Sequence, residues 1–141
     1  MIATHDFGSD MQVGQTVMTL SLEPVSRRML ALYAGASGDH VPLHIDTDVA
    51  RQAGMPDVFA HGMLVAAWVG RMLTDAAGVD RIREMSLRFT GITQLYNQLT
   101  CSATVAELLE VAGERRARLQ LLARNQYGQT KVVGEAVVAL P

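Results

Sequence analysis

One cysteine, one lysine and one tryptophan stand among 141 residues, and the first two scarcities each close off a class of protein. With Cys101 alone no internal disulfide can form, which fits a chain that folds in a reducing compartment. Lys131 is the sole lysine, the formal net charge is −2 and the pI is near 6.0. A nucleic-acid binder would carry a clustered basic face, so no nucleic-acid partner is expected. No stretch approaches the ~18 consecutive apolar residues of a membrane span. The opening Met1-Ile2-Ala3-Thr4-His5-Asp6 lacks the basic-then-apolar order of a secretory signal. A cytoplasmic globular protein with no membrane partner is the expectation. At this length one domain, residues 1–141, is expected, with Trp68 and the eight methionines helping to fill its core.

What is present is strongly patterned. Residues 15–22 alternate, with Met18, Leu20 and Leu22 on one face after a turn at Gly14, and read as a strand. Residues 27–34 read as a helix that Ser26 can cap, with Gly35 and Gly38 ending it. Residues 45–60 read as a short helix and a loop. From residue 62 to 77 almost no polar face is left, Arg71 being the only charge before Asp75. A helix apolar nearly all round is a buried one. Residues 84–93, 98–109, 115–125 and 130–140 read as strands, with a turn at Tyr127-Gly128-Gln129. Ala103, Val105, Leu119, Leu121, Val132 and Ala136 alternate there with more polar neighbours. One buried helix and several long antiparallel strands imply an α+β arrangement in which a sheet wraps around the helix.

The chemistry concentrates in residues 37–62. Ser37-Gly38-Asp39-His40-Val41-Pro42-Leu43-His44 puts a carboxylate and an imidazole five residues apart, in a segment that Gly38 and Pro42 keep from being a plain helix. Ala60-His61-Gly62-Met63 then opens the long apolar helix. A base, a proton carrier and a helix N-terminus suit the addition or removal of water at an activated double bond. His40 and His44, four residues apart, would also fit a metal pair with Asp39 or His61 as a third ligand. Pro42 breaks the helix such a pair needs, so no metal is expected. Cys101 has no base near it in sequence and reads as a core residue. Arg81, Arg83 and Arg88 read as solvated surface.

These two motifs, with the β-rich remainder, resemble the MaoC-like family of R-specific enoyl-CoA hydratases and hydroxyacyl dehydratases, which adopt the hot-dog fold. The family pattern, roughly Ser-Gly-Asp-x-Asn-Pro-x-His followed by His-Gly-Met, is met here by Asp39, Pro42 and His44 and by His61, Gly62 and Met63. Arg88-Phe89-Thr90 and Gly134-Glu135-Ala136-Val137-Val138 look like the family's strands. Val41 departs from it, replacing an amide with a stiff apolar side chain, so the loop must be held by other bonds. The resemblance implies reversible hydration of trans-2-enoyl thioesters to (R)-3-hydroxyacyl thioesters, with coenzyme A or acyl carrier protein as the carrier. It implies a water held between Asp39 and His44, and the backbone N–H of Gly62 polarising the thioester. Met63 is expected against the substrate, and His61 either touches substrate or fixes the loop. A homodimer with no cofactor completes the expectation. Two rivals stand beside it: a non-catalytic or acyl-binding subunit of a heteromeric dehydratase, and a hot-dog thioesterase. The latter commonly has a carboxylate on the central helix, and residues 63–73 have none.

Overall fold

Six antiparallel strands form a single sheet curved around one long helix. The computed structural model describes residues 1–141, apart from the side chain of Ile2. The strands are β1 (Ile2–His5), β2 (Thr16–Ser21), β3 (Ile82–Phe89), β4 (Thr100–Val111), β5 (Glu114–Arg124) and β6 (Thr130–Ala139). The helices are α1 (Arg27–Ser37), α2 (Thr47–Gln52) and α3 (Gly62–Ala77), with 3-10 turns over Pro42–His44 and Val79–Arg81; across the sheet the strands lie in the order β1-β2-β4-β5-β6-β3. The wrapped α+β arrangement expected from the pattern is the one observed.

The alternation in the strands explains the core. Ala117, Leu119, Leu121 and Ala123 of β5 all face inward and are buried, as are Cys101, Ala103 and Val105 of its neighbour β4. Against them α3 lays Leu64, Val65, Trp68, Val69, Met72 and Leu73. Each aliphatic side chain so buried contributes about 1.5–3 kcal/mol, which is why the helix holds to the sheet without polar anchors. Cys101 is 0% exposed, and burial pushes its thiol up to about 12, so it belongs to the core.

Several boundaries depart from the expectation for stated reasons. Helix α1 runs through Gly35 to Ser37, and Gly38 alone stops it, with φ 76° and its N–H on Ala34 O at 3.0 Å. A stop needs the left-handed turn that Gly38 adopts, whereas Gly35 only weakens the helix. Strand β1 carries no alternation and exists because it pairs with β2, Ala3 opposite Leu20. Strand β3 stops at Phe89, before the expected residue 93. The chain then turns back so that Thr93 O accepts from Ala60 N–H at 2.9 Å and Gln94 bridges Phe59. Helix α3 has the expected bounds, yet Met63 and Ala67 on its outer side are exposed, so it is covered on one side only.

Asp57 ties the segment before α3 in place. Its carboxylate accepts from Arg27 Nη2 at 2.5 Å and from Thr47 Oγ1 at 2.9 Å, joining α1 and α2 to the loop that leads into α3. Its own neighbour's amide, Val58 N–H at 2.8 Å, is the largest cause of its lowered carboxyl pKa. The loop that leads into α3 is therefore tied to both preceding helices through one carboxylate.

Candidate active site

His44 ends the 3-10 turn that Pro42 starts, and its ring reaches across to the loop before α3. Nδ1 lies 2.7 Å from Phe59 O. A carbonyl can only accept, so the Nδ1 position carries the proton and Nε2 keeps a free lone pair. The ring is further held edge-on to Phe59, at 5.0 Å between centroids, and stacked on His61 at 3.9 Å and 27°.

His61 is 1% exposed, with Tyr33 packed edge-on against it at 4.8 Å. Its Nε2 lies 3.2 Å from the backbone oxygen of Asp39, which assigns its proton to Nε2 by the same reasoning. Nδ1 is then a buried acceptor with no partner among the described residues. The bond to Asp39 is a structural one, fixing the loop that carries the acid. The Asp39 side chain completes that loop: Oδ1 accepts from Val41 N–H at 3.3 Å, and its own N–H donates to Ser37 Oγ at 3.1 Å. The turn is thus held by the Asp39 carboxylate and the His61 ring, and a side-chain amide at position 41 is not required.

Side-chain ligand atoms of Asp39, His44 and His61 all lie within 4.8 Å of one another. The trio is therefore assembled in space from two segments, residues 37–44 and the loop before α3. Gly62 adjoins it at the start of α3, where no side chain caps the helix and no acceptor takes the Gly62 N–H among the described residues. A free first-turn donor at the positive end of a long helix favours negative charge. Beside it opens a cleft of about 330 Å³ that His44 and Gly62 line together with Phe59, Val65, Phe89 and Ile92. Asp39 and His61 are not among the residues lining this cleft and join it through their cluster with His44. Met63 is 61% exposed on the outer side of α3, since Leu64 and Val65 occupy the inward positions, and it is not among the residues lining the cleft.

Thr93 and Lys131 also line the cleft. Neither belongs to a local motif; the one available signal was that the chain's only lysine falls in a mainly apolar strand. Arg81, Arg83 and Arg88 stay outside the cleft, and Arg83 is paired with Glu114 at 2.6 Å.

Burial, and next to it the neighbouring His44, hold the His61 imidazole below its ordinary 6.5, against the opposing pull of Asp39. A depressed histidine favours the fold while both states are neutral; as pH falls below 6.5 the unfolded chain takes up a proton that the folded chain refuses. The stability is therefore full above that pH and drains below it. Thermal melts about one unit above and below should show a fall on acidification that is smaller in His61→Gln, whose amide can donate to Asp39 O from the position of the ring Nε2. An undiminished fall in the variant would mean other groups set the dependence.

Comparison with known proteins places this geometry. The chain is 34% identical over 113 residues to the fatty acid synthase beta subunit TOXC of Cochliobolus carbonum, matching 75% of this chain and 5% of that protein. It thus spans about a twentieth of that protein's length. It is 28% identical over 134 residues to an (R)-specific enoyl-CoA hydratase of Rhodospirillum rubrum, covering 94% of this chain and 90% of the relative. The structure of unliganded R-hydratase PhaJ1 from Pseudomonas aeruginosa superposes with a TM-score of 0.85 at 28% identity, over 99% of this chain and 89% of that one. The profile of the MaoC like domain matches residues 9–123, most of the length. With its six-stranded sheet around α3 and its Asp39, His44 and His61 cluster, this chain belongs to the MaoC-like domain family.

Proposed function

We propose that the chain is a hydro-lyase that adds water reversibly to trans-2-enoyl thioesters, giving (R)-3-hydroxyacyl thioesters. The observation that carries this reading is the free Nε2 of His44. With Nδ1 committed to Phe59 O, one lone pair is left on a ring that clusters with Asp39 and lines the cleft. A water between the two would lose a proton to the pair while its oxygen bonds to the β-carbon. Charge moves to the thioester oxygen, where Gly62 N–H stabilises it by roughly 3 kcal/mol in a dry site. The pair returns the proton to the α-carbon, so one water is added and nothing else is consumed. Acid and base are shared roles, because the carboxylate and the imidazole hold the same water.

The cleft of about 330 Å³ falls at the low end of the ~300–1,000 Å³ typical of small-molecule sites, which favours a short acyl chain. The carrier, coenzyme A or acyl carrier protein, stays outside it. Residues 1–141 act as one unit, cytoplasmic and homodimeric, the second copy lying along the open edge at β3, where Met85 and Phe89 are exposed. No helix among the described residues is long and apolar enough to cross a membrane.

Loss of enoyl-thioester absorbance with short trans-2-enoyl-CoA substrates tests the reading, with Asp39→Asn run in parallel. Turnover that vanishes in the variant supports it. A soluble protein inactive on every thioester offered would favour the acyl-binding subunit instead. Asp39, His44 and His61 also supply the three protein donors of a catalytic zinc site. Acid–base catalysis by the pair predicts that dialysis against EDTA leaves turnover intact. Loss of activity restored by zinc would replace the pair with a metal-bound water.

A further inference from the structure

Lys131, near the start of β6, is 8% exposed and lines the cleft that holds His44 and Gly62. None of the ion pairs among the described residues includes it. Its ammonium offers three donors, and its one side-chain hydrogen bond is a long one, 3.4 Å to Gln129 Oε1. Thr93 lines the same cleft, is 3% exposed, and its hydroxyl has no partner among the described residues. A buried cation and a buried hydroxyl, both short of partners, therefore share a cleft whose other walls include Phe59, Val65, Phe89 and Val132.

A plain alkyl chain filling that cleft would strip water from the ammonium and return nothing. A carboxylate would accept from the ammonium and from the hydroxyl at once, in charge-assisted bonds. We propose that Lys131 and Thr93 form an oxyanion subsite in the acyl cleft, so that the thioester taken by this protein carries a carboxylate at the far end of a short acyl chain. This rests on the hydratase reading above for the position of the thioester at Gly62. The phosphates of coenzyme A are the other source of oxyanions, but several charges on a solvated arm call for exposed cations, whereas one enclosed ammonium matches one enclosed carboxylate.

Binding of non-reacting saturated thioesters separates this idea from catalysis. Adipoyl-CoA and hexanoyl-CoA have equal acyl length and differ in the terminal carboxylate; free coenzyme A is the third ligand. Calorimetry on the wild type should give adipoyl-CoA at least about tenfold tighter than hexanoyl-CoA. Lys131→Met, which keeps an unbranched side chain of similar length, should abolish that ratio; Lys131→Gln should do the same, and Thr93→Val should reduce it. Thermal melts check that each variant is folded. With the matched enoyl pair, the ratio of kcat/KM for the diacid thioester over the plain one should fall in parallel. Equal wild-type affinity for the two saturated thioesters would overturn the proposal. Equal weakening of both thioesters and of free coenzyme A by Lys131→Met would also overturn it, assigning the ammonium to the carrier arm. A carboxylate preference without any enoyl turnover would uphold the subsite and sink the hydratase reading.

Discussion

The Asp39→Asn variant is expected to melt like the parent and to hydrate enoyl thioesters about 10²- to 10⁴-fold more slowly. Asparagine keeps the side-chain volume and an oxygen that can accept from Val41 N–H, so the turn that positions the loop survives. What disappears is the charge able to share a proton with His44. His44→Ala should cost a similar factor by removing the free Nε2, though it also strips Phe59 O of its donor and so needs its own melting check. If the two groups handle one water together, the double variant is no slower than the worse single one. Multiplicative losses would instead mean separate roles, and parental turnover by Asp39→Asn would remove the carboxylate from the mechanism. Pre-steady-state measurement of the chemical step, with melting curves alongside, decides among these.

Gly134→Ala is expected to produce the largest loss of stability from a single methyl group. Gly134 lies on β6 between Leu121 of β5 and Leu87 of β3. An added Cβ would overlap the backbone oxygen of Ser86 and stand 2.7 Å from Leu87 Cδ2. A backbone oxygen held in a ladder cannot swing aside, so β3 must move away from β6. Overpacking of this kind costs about 1–3 kcal/mol or more. For a chain of this length the drop in Tm is roughly 3–10 °C. Strand β3 ends in Phe89, which walls the cleft and lies against Gly62, so substrate affinity should weaken along with stability. Gly35→Ala is the contrast: within α1, with nothing within 4 Å of its added Cβ, it should gain roughly 0.5–1 kcal/mol. A Gly134→Ala protein that melts with the parent would show that the two strands can part at no cost.

The features legible in the sequence were those that depend on neighbours along the chain. Helix α3 was readable to the residue, because a run from Gly62 to Ala77 with few polar residues, bounded by His61 and Gly78, is a local property. The inward faces of β4 and β5 followed from a period of two. The order of Asp39, His44, His61 and Gly62 marked the site, because each loop carries its own turn residues and the helix start supplies its donor by geometry alone.

Tertiary structure decided everything that requires two distant segments to meet. Strand β1 exists only through β2, and the end of β3 is set by the return of residues 90–94 to the loop beside α3. The free nitrogen of His44 depends on a carbonyl fifteen residues away, and the bond from His61 to Asp39 O spans twenty-two. Met63 was turned outward by which side of α3 met the sheet. Lys131 and Thr93 came into one cleft from a strand and a turn whose proximity no local period encodes. Periodicity reports which face of an element is apolar; what lies opposite that face is settled by sheet order and loop closure, and those are properties of the whole chain.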